Sequence, residues 1–299
     1  MSRLPLVMII FLFSGFFCGI LPGIVDLPDI LPRETDVPGW IPGEFRREKG
    51  EALLRMAPAL GEYDPLDMGA RDYRRISGEV GELRVELFRF RSALDSFGAC
   101  GLEGGPSSVT PAATGAGYRS GSSVFARRGP LYIRIRSAGI DDEELAGFAA
   151  VVLEKAKRAF PRDGLPGYLA TLLGNSTEGV VYRRKGIDMI PGVKRVFLLR
   201  REIAGKTREV FFSPRPSDED ARRVFSDLLA RENEGWHLSR AGRIQPAVRI
   251  IPGGPVLFLH HYKEWLYGVL NADTIDEGNV MILDLYHEAR AMTGDRATD

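Results

Sequence analysis

The sequence predicts an α+β fold of two similar units, each an antiparallel sheet packed by helices on one side. Three observations predict it. Short runs with strand periodicity alternate with capped, amphipathic helical runs, the same order of elements occurs in both halves, and an uncharged apolar run precedes them. We assign residues 1–25 to a membrane segment acting as a signal anchor, 26–43 to a proline-rich tether, 44–164 to the first unit and 165–299 to the second.

The charge balance argues against one class of partner. The chain has 299 residues, which is enough for one large or two medium domains. It carries 40 basic and 40 acidic residues, so the formal net charge is zero. A dedicated nucleic-acid binder needs surplus Lys and Arg to neutralise phosphates. We therefore expect no nucleic-acid partner.

The N-terminal run predicts export. No charged residue occurs from Leu4 to Val25, and about 20 apolar residues match the thickness of the bilayer's hydrocarbon core. Arg3 precedes the run and Asp26 follows it, which puts the bulk of the chain outside. We expect an uncleaved anchor that attaches the protein to the membrane. Signal-peptide cleavage and lipidation at Cys18 are the alternatives, and both also export the chain.

The first unit is predicted to begin after the tether. Residues 26–43 contain four prolines and scattered acids, which is typical of an extended segment, and Trp40 is expected to dock onto the folded part. Apolar spacing predicts a short helix over 48–60. Alternating apolar, aromatic and β-branched residues predict strands over 68–79 and 83–91.

The stretch LDSFGACG, residues 94–101, contains one of only two cysteines. We interpret it as a shortened helix with Asp95 at its start, a buried Phe97, and Gly98 packed closely beneath a sheet. Cys100 is expected to be a small buried apolar side chain. The Gly/Ser/Thr/Ala-rich residues 101–121 are predicted to be a mobile surface loop.

Two strands and a helix are predicted next. The strands occupy 122–137 around a Gly-Pro turn, and their alternation predicts one buried and one wet face. The buried set is Leu131, Ile133 and Ile135, and the wet set is Tyr132, Arg134 and Arg136. The helix over 141–160 has Asp141 as its N-cap and stops at Pro161.

The second half continues in the same order. A hairpin over 193–214 turns at Ala204-Gly205, and Ser217 caps a helix that runs to about Arg231. Strands follow within 247–262, on both sides of a Gly-Pro turn, and in WLYGVL. Thr274, with a glutamate three residues on, then caps a last helix that ends near Gly294.

These shared orders predict a diverged tandem duplication. LRVELFRFRSALDSFGA corresponds to TREVFFSPRPSDEDARRVFSDLLA, and SVFARRGPLYIRI corresponds to VRIIPGGPVLFLHHY. The duplication predicts that strands 84–90 and 208–213 occupy equivalent positions. It predicts the same of helices 141–160 and 275–292.

Part of the first half resembles a family of exported bacterial proteins with no known activity. The matching residues are Gly39-Trp40, the run from Glu51 to Arg91, and Ser96-Phe97-Gly98. The match covers the first half more closely than the second. Ser96, Ala99 and Cys100 stand where the family more often has other residues. The resemblance implies export and an α+β fold, and it implies no activity.

No motif specifies a reaction. The four histidines are His237, His260, His261 and His287, and none belongs to a metal-ligand pattern. His260 and His261 are adjacent on a strand, so their side chains should point to opposite faces. His261 and Glu264 could pair across a turn, although an exposed strand end is the expected reading. Cys100 has no partner base in its neighbourhood. We therefore name no catalytic, cofactor-binding or metal-binding residue and expect no cofactor.

Residues 183–208 contain nine Lys or Arg against two acids. This predicts either an anionic partner such as lipid headgroups or, as we expect, the solvated face of two strands. Two functional classes stay open. The favoured one is a non-catalytic envelope module that binds a partner protein or a ligand. The alternative is an extracytoplasmic enzyme whose site is assembled around the 101–121 loop and His261.

Overall fold

A computed structural model describes residues 25–76, 81–104, 117–174, 180–203, 205–231 and 234–294. It confirms the α+β class, with two antiparallel sheets of seven strands each and helices packed against them. All but the last residue of the predicted membrane segment lie outside the described residues. Within the described ranges, no helix is both long and apolar enough to cross a membrane.

The first unit contains seven strands and four α-helices. In chain order the elements are α1 (Leu27–Ile30), β1 (Trp40–Pro42), β2 (Arg46–Glu48), α2 (Gly50–Met56), a 3₁₀ turn (Pro58–Glu62), β3 (Asp67–Arg75), β4 (Glu82–Arg89), α3 (Ala93–Gly104), β5 (Gly117–Ser120), β6 (Ser123–Arg128), β7 (Leu131–Ala138) and α4 (Asp142–Ala159).

The second unit contains seven strands and three α-helices. They are α5 (Tyr168–Gly174), β8 (Val180–Arg183), β9 (Val196–Ile203), β10 (Lys206–Pro214), α6 (Asp218–Leu229), β11 (His237–Leu238), β12 (Ala247–Ile250), β13 (Val256–Tyr262), β14 (Trp265–Ala272) and α7 (Ile275–Met292). The short elements α5 and β8 were not predicted.

The two sheets have equivalent strand orders. The first is β1-β3-β4-β7-β6-β5, with β2 also on β3, and the second is β11-β12-β13-β14-β10-β9-β8. Strand β4 therefore corresponds to β10, hairpin β6–β7 to β13–β14, and helices α3 and α4 to α6 and α7. The predicted equivalences of strands 84–90 with 208–213 and of the two long helices are confirmed.

One predicted correspondence is wrong. The sequence pairs SVFARRGPLYIRI with VRIIPGGPVLFLHHY, which would make hairpin β6–β7 equivalent to β12–β13. In the sheets, β12 instead takes the place of β5. A Gly-Pro turn follows both β6 and β12, so turn residues alone do not determine which pair of strands they join.

Each sheet is covered on both faces, so the prediction of helices on one side is wrong. One core lies between the first sheet and helices α1 and α4. A second joins the opposite face of that sheet and α3 to the second sheet and α7. A third lies between the second sheet and α6. The physical reason is that strands such as β4 are apolar on both faces: Val85 and Leu87 face the first core, and Phe88 faces the second.

Residues 26–43 are not an extended tether. Leu27, Ile30 and Leu31 are buried against the first unit. Trp40 docks as expected, with its ring 5.8 Å from that of Phe148 in an edge-on geometry. The prolines are compatible with this packing because one starts α1 and another lies in strand β1, at the border of the sheet.

Four helices begin with a side chain that accepts a hydrogen bond from the backbone N–H three residues on. The capping residues are Ser92, Asp141, Ser217 and Thr274. The last three are confirmed predictions. Helix α3 begins before Asp95 because Ser92 caps it, and with 12 residues it is as long as α6. The predicted shortening of this helix is therefore wrong.

Two further predictions for the first unit are wrong. Residues 101–121 are not one loop, because 101–104 end α3 and 117–120 form β5, while 105–116 lie outside the described residues. The predicted wet face of β7 is also mostly covered. Tyr132 and Arg134 are buried beneath α3, and only Arg136 is exposed.

Helix α3 joins the two units. Gly98 lies against the rings of Tyr63 and Tyr182, which confirms the predicted close packing. The Tyr63 hydroxyl donates a hydrogen bond of 2.7 Å to the Tyr182 backbone oxygen. Cys100 is buried as predicted, whereas Phe97 is only partly buried beneath the guanidinium of Arg127.

Candidate functional site

An open groove of about 790 Å³ lies in the second unit, between α6, α7, the end of β13 and the turn before β12. Its apolar lining comes from Phe225, Leu229, Leu238, Ile244 and Tyr286. Its polar lining comes from Ser226, Arg240, Arg243, Gln245, His260 and His261.

Both adjacent histidines reach this groove, contrary to the prediction that they point apart. The strand β12 pairs with β13 only as far as Leu259, which faces Ala247. The last residues of β13 therefore have an open edge on that side. His260 and His261 both line the groove beside this edge, and their ring centroids are 5.6 Å apart.

The two rings pack around Phe225. Its ring centroid lies 5.8 Å from that of His260 and 5.2 Å from that of His261. The Nδ1 atom of each histidine is buried and has no hydrogen-bond partner among the described residues. A buried polar nitrogen without a partner costs free energy, and such atoms in a cleft are typical of sites that another molecule completes.

Burial keeps both histidines neutral. Desolvation, together with a smaller effect of the neighbouring His261 ring, lowers the pKa of His260 to about 4. Desolvation also lowers the pKa of His261, and the Asp218 carboxylate at the start of α6 partly opposes that shift. At neutral pH each ring therefore has one nitrogen that accepts and one that donates a hydrogen bond.

Among the described residues that line the groove, only arginines carry a charge. Arg240 and Arg243 are exposed, lie in the turn before β12, and make no ion pair with a described residue. No lining residue is acidic. The sequence contains the signal for this, because no Asp or Glu occurs between Glu234 and Glu264. The groove is therefore a cationic cleft that is lined in part by apolar side chains.

A second cavity, at the end of the first sheet, lacks this character. Its volume is about 360 Å³, and Arg84 and Arg136 line it together with Asp72 and Glu82. Arg84 pairs with Asp72 at 3.4 Å and with Glu86 at 3.1 Å. Its cations are neutralised within the protein, so it offers little attraction to a charged ligand.

The most deeply buried charges belong to the fold. Arg134 donates to Glu86 at 2.6 Å and to Glu103 at 2.7 Å, and its guanidinium lies 4.9 Å from the Phe88 ring. Burial is the largest single effect and raises the pKa of Glu86, but the hydrogen bonds and charges of Arg134, Arg84 and Arg136 together lower it. This network connects β4, β7 and α3.

The other candidate residues do not form a site. His237 and His287 are exposed, and no hydrogen bond joins His261 to Glu264. Among the described residues, no group of three His, Cys, Asp or Glu side chains could hold a metal ion. Residues 101–104 and 117–121 do not line the groove that contains His261. The predicted assembly of the 101–121 segment with His261 is thus not found in the described parts.

The basic stretch 183–208 is largely paired within the protein. Arg201 binds Glu288 at 2.7 Å, and Arg208 binds Glu277 at 2.6 Å. Arg183 and Arg184 also pair with carboxylates of the first unit. This favours the interpretation as two charged strand faces over a site for lipid headgroups.

Comparison of the chain with known protein families, with curated proteins and with solved structures finds no match. The resemblance to exported bacterial proteins therefore stays a prediction. The fold and the groove define, over the described residues, an α+β protein of two similar units with a cationic cleft in the second.

Proposed function

We propose that this chain is an exported, membrane-anchored envelope module that binds a ligand in the groove of its second unit and does not transform it. The observation that supports this most is the pair of histidines that line a cleft of about 790 Å³ and whose buried Nδ1 atoms have no hydrogen-bond partner among the described residues. The groove's one hydroxyl nucleophile candidate, Ser226, has no hydrogen bond to either histidine. Binding accounts for the groove without a nucleophile–base pair.

The anchor is argued from the apolar run of residues 4–25. The folded unit begins immediately after it, since Leu27 is already buried. The Arg89 guanidinium also donates a hydrogen bond of 3.2 Å to the Val25 backbone oxygen. An anchored chain would then hold its first sheet close to the bilayer surface, without an intervening tether.

We also propose that the two units arose by tandem duplication. The equivalent strand orders support this, as does the helix that follows β4 and β10 in each unit. Under this proposal, the groove is a feature that one copy has and the other lacks.

Two measurements test the function. Cells that express the full chain should retain it in the membrane fraction, and a soluble product that begins near residue 26 would contradict the anchor. For the groove, the purified chain in lipid nanodiscs is labelled at its histidine rings and screened by NMR against small anionic, neutral and cationic compounds. Compounds should shift the His260 and His261 signals, which His260→Gln and His261→Gln assign. If no compound of any charge shifts them, the groove is not a binding site.

A further inference from the structure

The two units differ at one equivalent position. Arg127 in β6 and His261 in β13 each stand second to last in their strand before the two-residue turn of the equivalent hairpins. Each contacts a phenylalanine of the equivalent helix: Arg127 lies 5.8 Å from the Phe97 ring, and His261 lies 5.2 Å from the Phe225 ring. The same corner of the fold, next to the hairpin turn, therefore contains an arginine in the first unit and a histidine in the second.

In the first unit, a carboxylate of the protein itself fills this corner. The two terminal nitrogens of Arg127 donate to the two carboxylate oxygens of Asp163, at 2.8 Å and 2.5 Å. The Gly129 backbone N–H donates to the same carboxylate at 3.4 Å. Burial is the largest single effect and raises the pKa of Asp163, but the hydrogen bonds and charge of Arg127, the Gly129 N–H and the charge of Arg128 together lower it, so the carboxylate is charged. A bidentate pair of this kind is the strong form of ion pair.

In the second unit, the neutral His261 stands in the place of Arg127, and the cations near it come from another element. Arg240 and Arg243 enter the groove from the turn before β12, and no acidic residue lines it. Phe225, Leu229 and Tyr286 supply an apolar surface beside them. Cationic side chains next to apolar side chains complement a molecule with one anionic and one apolar end.

From this comparison we infer that the groove binds a small amphiphilic carboxylate, with its anionic head between Arg240 and Arg243 and its apolar body against Phe225. The inference rests on the proposed binding function and adds the chemical class of the ligand. The neutral histidine rings hydrogen-bond the ligand's polar atoms and add no charge of their own.

The test uses three probes that share one apolar body: 3-phenylpropionate, 3-phenylpropan-1-ol and 3-phenylpropan-1-amine. Each is titrated into the full chain in nanodiscs while the His260 and His261 ring signals are recorded. The carboxylate should bind at least about tenfold more tightly than the alcohol, because hydrogen bonds between two charged groups are stronger than those to a neutral hydroxyl. The amine should give no saturable shift.

Variants locate the head group. The double substitution Arg240→Gln with Arg243→Gln should weaken carboxylate binding at least about tenfold, and it should leave alcohol binding unchanged. Arg55→Gln is the matched control, because Arg55 is an exposed arginine of the first unit without an ion pair among the described residues. It should change neither.

The outcomes separate the two proposals. If the alcohol or the amine shifts the histidine signals as strongly as the carboxylate, the groove binds ligands but the carboxylate inference is wrong. The same conclusion follows if the double variant binds the carboxylate as well as the native chain does. If none of the three probes shifts the signals, the carboxylate inference is wrong, and the broader screen of anionic, neutral and cationic compounds decides the binding function separately. The comparison of probes on the native chain does not depend on the folding of any variant.

Discussion

Replacing Gly98 by alanine tests the junction between the two units. A β-carbon at this position would overlap Cε1 of Tyr63 and lie 2.9 Å from Cδ1 of Tyr182. Inserting a methyl group into a packed core costs about 1–3 kcal/mol. Displacing Tyr63 would also break its buried hydrogen bond to Tyr182, for about 1–3 kcal/mol more. Alanine regains about 1 kcal/mol of helix propensity, so we expect a net loss of about 1–5 kcal/mol.

The assay is urea unfolding of the full chain in nanodiscs, followed by tryptophan fluorescence. Trp40 reports on the first unit, and Trp236 and Trp265 report on the second. The matched control is Gly147→Ala in α4, where an added β-carbon meets nothing within 4 Å. It should stabilise the protein by about 0.5–1 kcal/mol. If Gly98→Ala is as stable as Gly147→Ala, the account of α3 as a tightly packed junction is wrong.

Three more predictions concern buried groups. Arg134→Met removes the guanidinium that two carboxylates share and should cost about 3–5 kcal/mol in the same assay. Arg74→Met, at an exposed pair, is the control and should cost less than about 1 kcal/mol. Equal costs would contradict the buried network. Because the pKa of His260 is about 4 in the fold against 6.5, its neutral ring contributes stability that is present above pH 6.5 and lost as pH falls to 4. Relative to His260→Gln, the native chain should lose at most about 3 kcal/mol across that window, and parallel pH profiles would contradict the burial. Cys100 should react slowly with a thiol reagent until the protein unfolds, and fast labelling of the native protein would show that the thiol is accessible.

Local signals predicted most elements of this fold. Asp141, Ser217 and Thr274 act as caps in the structure as their spacing indicates, because capping depends on residues only three positions apart. Strand alternation located β4 and β7 for the same reason. These local signals could not show whether one or both faces of each sheet are covered by other elements. The polar set on β7 suggested solvent, but Arg134 is buried because two glutamates pair with it.

The groove was missed for a related reason. Alternation places His260 and His261 on opposite faces, but β12 ends beside Leu259, and the open edge allows both rings to line one cleft. Where a neighbouring strand ends is a tertiary property. The arginines gave a clearer signal, since the sequence lacks acids between Glu234 and Glu264. The prolines of residues 26–43 predict an extended tether, but most of the apolar residues between them are buried against the first unit.

Photo-crosslinking of the full chain tests the central claim most directly. The probe is 3-phenylpropionate with a diazirine on its ring, and labelled peptides are identified by mass spectrometry after irradiation in nanodiscs. The account predicts that the label concentrates on residues 225–229 and 238–244 and on Tyr286, and that excess 3-phenylpropionate removes it. Labelling spread over the surface, or concentrated near Arg84 and Arg136 of the first unit, would contradict it.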